Sequence, residues 1–362
     1  MVPGGVERDG ETRVIPAILW LMERLARRHE VHVVVPRQEP HPGIWQLRGA
    51  TVHNVGRAPL RPRAVRMLLT LHRERPFDLF HAIWARGPGE IALAAARLCR
   101  RPVLVHVAGG ELVWMPRIRF GTRWPWRRLL VRTVLRHADR VTAASQPMLD
   151  RLTGLGIAPI RVPLGVDTRV WAPEPPRPRP RGRPARLVHV GSLTPVKDQP
   201  TLLQAVGILT REGFDLRLDL VGEDAWGGSV QRLARQLGID RQVAFHGYLP
   251  QRSAVAVVRE ADLMVLPSRH EAGPVAVREA AAVGVPAVGS AVGHVREWAP
   301  EAAVAVPPGE PETLARAVAD LLRDDGRRMD LARSAQERSL REDADWTAAR
   351  FEELYREMED DA

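Results

Sequence analysis

The residues best suited to chemistry in this chain are one lysine and two glutamates. Lys197 is the single lysine among 53 basic residues, the others being arginines. It lies in Gly191-Ser192-Leu193-Thr194-Pro195-Val196-Lys197-Asp198, just after the apolar run Leu187-Val188-His189-Val190. Lysine is a compact cation on a flexible stem, suited to a phosphate oxygen. A chance surface lysine is the plain alternative. Glu271 and Glu279 belong to Pro267-Ser268-Arg269-His270-Glu271-Ala272-Gly273-Pro274-Val275-Ala276-Val277-Arg278-Glu279-Ala280, which follows the apolar run 263–266. Gly273 and Pro274 are expected to open a helix, with Glu271 in the loop before it and Glu279 about two turns in. Backbone N–H groups at such a helix start can bind a diphosphate or other anion. As a bare spacing, two such glutamates fit a solvated helix face. The Pro267-Ser268 before them and the Ala280-Ala281-Ala282-Val283-Gly284-Val285-Pro286 after them argue against that.

The elements that must position these residues alternate β-rich runs with helical patterns, which predicts an α/β fold with parallel sheets. In the second half, strands are expected at 187–190, 216–221, 243–246, 263–266 and 286–289. Helices are expected at 199–211, 229–237, 253–259, 273–283 and 311–323. Trp346, Phe351, Leu354, Tyr355 and Met358 mark a final amphipathic helix. In the first half, strands are expected at 31–35, 79–82, 103–107 and 141–145. A helical face runs from Val14 to Leu25, a second helix spans 89–98, and a third follows Pro147. Residues 172–186, with six prolines and five arginines, read as an extended linker. The expected organisation is an N-terminal domain at 1–171, the linker at 172–186, a C-terminal domain at 187–340 and a terminal helix at 341–362. A doubly wound domain opens with a strand, then a glycine turn. This chain begins Met1-Val2-Pro3-Gly4-Gly5, already in the turn, so the first strand of the N-terminal domain is read as missing. The expectation is a true start upstream, with Met1 or Val2 as the tail of that strand.

At 362 residues the chain is long enough for two cores, and its hydrophobic content of 45% supports them. A charged fraction of 27% argues against disorder. The one cysteine, Cys99, cannot form an internal disulfide, and no Cys/His spacing suits zinc, so a reducing cytoplasm is expected. Neither a membrane span nor a signal pattern is predicted. The net charge of +10 is spread along the chain without a nucleic-acid-binding motif, so nucleic acid is not an expected partner. Residues 117–130 mix arginines with Phe120, Trp124 and Trp126. One reading is a peripheral, salt-sensitive contact with anionic lipid at the inner face of the membrane. The favoured reading is a partly solvated helix whose tryptophans pack on the core.

Taken together, these landmarks resemble the GT-B glycosyltransferases, specifically the retaining group called family 4 (glycosyl transferases group 1). The resemblance covers nearly the whole chain. It is carried by Gly4-Gly5, Arg28-His29-Glu30-Val31, Ala138-Asp139-Arg140-Val141 and Pro163-Leu164-Gly165-Val166-Asp167 in the first half. In the second half it rests on Gly191-Ser192-Leu193 with Lys197, Leu220-Val221-Gly222-Glu223, Val243-Ala244-Phe245-His246-Gly247-Tyr248-Leu249, Pro267-Ser268, the two glutamates and Gly293-His294-Val295-Arg296-Glu297. The resemblance implies two Rossmann-like doubly wound domains facing a cleft. It also implies transfer of a sugar, with retention and without a metal, from a UDP- or GDP-sugar to a carbohydrate, lipid-linked or small-molecule acceptor. Glu279 would then bond the ribose hydroxyls and Glu271 the donor sugar. Gly191, Ser192, Gly273, Pro274 and Val275 would lie near the diphosphate and sugar, and Gly247, Tyr248 and Leu249 would flank the base. Lys197 would neutralise the leaving diphosphate.

Gly4, Gly5, Gly109, Gly110 and Glu111 would lie on the acceptor side, with His106 as a further candidate. No cofactor is implied, the nucleotide-sugar being a co-substrate. Two departures stand out. Ser192 replaces an arginine common in relatives, leaving Arg269 or Arg296 to stand in. Ala108 occupies a position where relatives often carry histidine, and His106, about 7 Å away along the strand, reads better as a core residue. Asp343-Ala344-Asp345 reads as a solvated face, not a metal motif. The rival functions are a non-catalytic or degenerate nucleotide-sugar-binding protein and a GT-B nucleotide-sugar epimerase.

Overall fold

In the computed structural model the described residues are 1–180 and 182–360. Arg181 of the Pro/Arg-rich segment, and Asp361 and Ala362 of the terminal segment, lie outside them. The chain forms two compact units, one of residues 1–165 with 344–362 and one of residues 166–343.

The first unit begins with α1 (Pro16–Leu25), β1 (His32–Val35), β2 (Gly43–Leu47), β3 (Ala50–Asn54), α2 (Leu60–Glu74) and β4 (Phe80–Ile83). It continues with α3 (Pro88–Cys99), β5 (Val103–Val107), β6 (Trp114–Met115) and β7 (Phe120–Gly121). It closes with α4 (Pro125–His137), β8 (Arg140–Ala143), α5 (Gln146–Thr153) and β9 (Pro159–Arg161). β1 pairs in parallel with β3, β2 pairs antiparallel with β3, and β4-β5-β8-β9 form a parallel sheet. Met1 and Val2 hold the place between these two sheets. The Val34 N–H donates to Met1 O at 2.9 Å, Val2 N–H to His81 O at 2.8 Å and Ile83 N–H to Val2 O at 3.2 Å.

The second unit contains β10 (Ala185–Val190), α6 (Gln199–Arg211), β11 (Leu216–Val221), α7 (Ser229–Gln236), β12 (Val243–Gly247), α8 (Gln251–Arg259) and β13 (Leu263–Leu266). After these come α9 (Val275–Ala282), β14 (Ala287–Ser290), α10 (Gly293–Trp298), β15 (Ala303–Val306), α11 (Pro311–Arg323) and α12 (Asp325–Arg341). Its six strands are all parallel, in the order β12-β11-β10-β13-β14-β15. The chain therefore reverses its direction of winding between β10 and β13. Ligands in such open sheets bind beyond the carboxyl ends of the strands at that switch point. β13 and β14 are buried along their whole length, as strands covered on both faces are, whereas β11 and β12 toward one edge alternate more and less buried residues. Leu187, Leu218, Leu220, Leu263, Val265 and Val288 lie in the core beneath α6 and α11.

The Pro/Arg-rich segment falls within the second unit. It is fastened there by side chains. Arg259 donates to Ala172 O at 3.0 Å, Gln336 to Glu174 O at 2.6 Å and Arg328 to Arg177 O at 2.7 Å. β10 begins at Ala185, within the stretch expected to be linker.

α13 (Ala344–Asp360) packs on α1 within the first unit and buries Phe351, Leu354, Tyr355 and Met358. Asp345 is not merely solvated. Its carboxylate accepts from Arg24 Nε at 2.8 Å and Nη2 at 3.1 Å, and the Arg24 side chain is only 3% exposed. Asp345→Ala takes both of these charge-assisted bonds from a buried guanidinium that also donates to Trp20 O at 3.3 Å. The expected loss is about 1.5–3 kcal/mol, the usual worth of a charge-assisted hydrogen bond, read as a lower urea midpoint at constant m.

Residues 117–130 correct the favoured expectation. The tryptophans do not pack on the core: Trp124 is 48% and Trp126 56% exposed. The buried face of α4 is made by Val131, Val134 and Leu135 alone.

Candidate functional site

In the second unit, the loops after β10 and β13 lie side by side at the switch point and are tied to each other. The Arg269 N–H donates to Val196 O at 2.8 Å. Lys197 Nζ donates to Glu271 Oε1 at 2.6 Å, and Asp198 Oδ2 lies 2.5 Å from Arg269 Nε. Ser268 Oγ, wholly buried, donates to the same Glu271 oxygen at 2.7 Å. One carboxylate oxygen thus holds two donors, one of them cationic. That places Glu271 and orients the lysine before any ligand arrives.

The loop after β10 is braced from below. His189 Nδ1–H donates to Val265 O at 2.9 Å, so Nε2 is the acceptor facing the Gln199 amide at 3.2 Å. The same amide donates to Ser192 O at 3.2 Å, fixing the Gly191-Ser192 turn. Burial lowers the His189 pKa to about 4, so the ring is neutral at pH 7. The turn also crosses Gly222 closely. A Cβ there would lie 2.2 Å from Gly191 O, so only glycine lets the two strand ends meet.

α9 starts at Val275, two residues later than expected, because Pro274 takes the cap position with extended backbone (φ −68°, ψ 107°). Glu279 therefore lies about one turn in, not two. No side chain caps this helix, so its first N–H groups keep their capacity for an anion. Glu279 is 8% exposed and has no hydrogen-bond or ion-pair partner among the described residues. Burial pushes its carboxyl up to about 8. Such a group favours the protonated folded state, so its contribution is full below the ordinary carboxylate range. That contribution is lost as pH rises from about 4.5 toward 8, at up to about 1.4 kcal/mol per pH unit. Glu279→Gln should remove this slope. Urea melts of both proteins across that window check it.

Gly247 ends β12, its carbonyl accepting from Gly222 N–H at 2.8 Å. Tyr248 is 44% exposed and Leu249 half-buried beside it. These residues stand at the carboxyl edge shared with β10 and β13. Arg269, a candidate to replace the arginine missing at Ser192, is committed to Asp198. Arg296 is exposed on α10.

In the first unit, loops at the carboxyl ends of the strands gather around Trp84. A Cβ on Gly4 would lie 3.7 Å from its ring and one on Gly109 3.0 Å from it, while one on Gly110 would meet Phe120 at 2.5 Å. Gly5 and Val6 N–H groups both donate to Gln38 Oε1 at 3.1 Å. Glu111 is buried and accepts from Ala85 N–H at 3.2 Å, and burial raises its pKa above the ordinary carboxylate value. His106 is wholly enclosed. Its Nδ1 meets Thr142 Oγ1 at 2.9 Å and its ring lies 5.8 Å from that of Phe351. Burial lowers its pKa to about 4, so it is a neutral core histidine rather than a residue lining a surface. Sequence reasoning did not assign roles to Ser268, Gln199, Asp198 or Trp84. Only Pro267-Ser268 carried a signal, as a motif without a function. Among the described residues, no cluster of His, Cys, Asp or Glu could hold a metal, and no helix is long and apolar enough to cross a membrane.

Comparison with known proteins matches the glycosyl transferases group 1 to residues 174–338 and the glycosyl transferase 4-like domain to residues 14–165. The chain is 31% identical over 332 residues to a glycogen synthase of Mycobacterium tuberculosis, covering 87% of this chain and 77% of that one. It is 27% identical over 327 residues to a GDP-mannose-dependent alpha-(1-6)-phosphatidylinositol monomannoside mannosyltransferase of Mycolicibacterium smegmatis, covering 83% of each. Its fold is similar to that of HepE from Anabaena, solved in complex with UDP-glucose. The TM-score is 0.75 at 19% identity, covering 98% of this chain and 99% of that one.

Proposed function

We propose, from the premise that the chain belongs to the glycosyl transferases group 1 family, that it is a hexosyltransferase using a UDP- or GDP-sugar. The sugar would pass to a hydroxyl of a carbohydrate, lipid-linked or small-molecule acceptor, with retention and without a metal. The observation that carries this reading is the Lys197–Glu271 pair at 2.6 Å, held at the switch point beside the uncapped start of α9. In this reading the diphosphate lies on Lys197 and the α9 N–H groups, and the ribose diol donates to Glu279. A buried carboxyl with no partner among the described residues is matched to a ligand that brings two donors, which favour its ionised form. The GDP-mannose dependence of the Mycolicibacterium relative and the UDP-glucose bound to the fold neighbour support the donor class.

Breaking the bond between the sugar C1 and the phosphate oxygen leaves its electron pair on the diphosphate and oxocarbenium-like charge on the sugar. Lys197 stabilises the first charge without reorganising, because Glu271 already holds it. Glu271 is read as a sugar-contacting and positioning group. Its Oε1 already accepts two hydrogen bonds, which lowers its nucleophilicity. The acceptor hydroxyl attacks from the face the diphosphate leaves, and its proton passes to the departing phosphate oxygen. Gly4, Gly5, Gly109, Gly110 and Glu111 would form the acceptor side.

The test is incubation with UDP- and GDP-sugars in chelator with an acceptor library, followed by NMR of the product's anomeric proton. An axial linkage from an α-donor supports the reading. An inverted product, or turnover only with added metal, contradicts it. Nucleotide binding without turnover would favour the non-catalytic alternative.

A further inference from the structure

A second feature lies in the first unit and owes nothing to the donor site. No acidic residue occurs between Glu111 and Asp139, while arginines recur throughout the same stretch. Arg117, Arg119, Arg123, Arg127 and Arg132 are exposed, and none pairs with a carboxylate among the described residues. Trp124, Trp126 and Leu129 stand among them, 48%, 56% and 62% exposed. They account for half of the large hydrophobic side chains exposed in the described chain, gathered in six residues. The Arg123 guanidinium lies 4.8 Å from the Trp124 ring centre, and that of Arg127 lies 5.0 Å from the Trp126 ring. α4 turns Val131, Val134 and Leu135 inward, and Trp126 and Leu129, three apart, share an outer face.

In water this arrangement is unfavourable: indole and leucyl surface stays wet and unpaired cations repel one another. At an anionic bilayer both costs reverse. Tryptophan is amphipathic and settles at the headgroup level, leucine enters the acyl boundary, and each arginine meets lipid phosphate. We propose that the face formed by residues 117–132 docks the protein on an anionic membrane surface. A nucleic acid would answer the arginines but leave Leu129 unrewarded, and so is the less complementary occupant.

Flotation of the full chain with phosphatidylcholine vesicles, with and without phosphatidylglycerol, tests this. Binding is expected only to the phosphatidylglycerol-containing vesicles, and raising salt from about 0.05 to about 0.5 M should weaken it at least about tenfold. Trp124→Ser with Trp126→Ser should lower partitioning about tenfold or more at low salt. Arg123→Gln with Arg127→Gln should do so to a similar degree, and because neither arginine touches the core, that pair serves if the tryptophan variant misfolds. Nucleotide-induced thermal shifts should be unchanged in both, which keeps this test separate from that of the donor site. The proposal is overturned by no flotation at low salt, by binding indifferent to lipid charge, by binding that survives the arginine substitutions, or by retention on nucleic acid alone.

Discussion

Lys197→Ala should lower kcat for sugar transfer by about 10³-fold, equivalent to ~4 kcal/mol of transition-state stabilisation. The melting temperature should stay within a few degrees of wild type. The size follows from the chemistry of the leaving group. Charge grows on the diphosphate as the glycosidic bond lengthens, and the relative Ser192 position offers no second cation. Arg269 is tied to Asp198, so that guanidinium is not free to take over by a small movement. Lys197→Arg should recover little, because a planar fork does not reproduce a point charge seated 2.6 Å from Glu271. The side chain is a quarter exposed, so its removal leaves no large cavity, and Glu271 keeps its bond from Ser268. Steady-state kinetics beside a thermal melt separate the two effects. Wild-type turnover in this variant would remove Lys197 from the site.

Glu271→Gln should split binding from turnover. The amide keeps the shape and can still accept from Ser268 and Lys197, but it no longer carries the charge that fixes the lysine. Turnover is expected to fall about 10²–10³-fold. Affinity for the bare nucleoside diphosphate should hold or rise, because an anion beside the diphosphate has been removed and Lys197 is shared less. Calorimetry with UDP and GDP, set against kcat, reads both halves. A parallel loss of nucleotide affinity and turnover would show that Glu271 acts only as scaffolding.

The strands and helices that make the switch point were legible because their signals are local. β11, β13, α6 and α11 lie at the predicted residues: β11 alternates apolar and polar residues, β13 is an apolar run, and each helix carries a 3.6-residue pattern with proline in its first turn. The hairpin of β2 and β3 was missed. It turns on Arg48 and Gly49, both with positive φ (52° and 84°), and arginine is not the residue that announces such a turn. The start of α9 was placed early because Gly273-Pro274 reads as a helix opening, whereas the proline serves as its cap. The exposed tryptophans of α4 were misjudged for a related reason. Periodicity gives the face of a helix, but Trp124 and Trp126 flank its first residue, where that pattern has no hold.

The types of the site residues were legible, and their partnerships were not. Glu271 with Lys197, Arg269 with Asp198 and Gln199 with Ser192 all depend on how two loops, distant in sequence, settle against each other. No spacing along the chain encodes that. Glu279 was singled out by its place in a motif, but its unpartnered burial is a property of the packed helix.

The most direct test of the donor site is a thermal-shift series on the purified full chain. It would use UDP, GDP, ADP and their common sugar conjugates in the presence of chelator, with wild type and Glu279→Ala side by side. The account predicts that one nucleotide series stabilises wild type, by about 2.7 kcal/mol at a hundredfold its Kd, and that Glu279→Ala loses most of that gain. A well-folded wild-type protein that none of these nucleotides stabilises would contradict it.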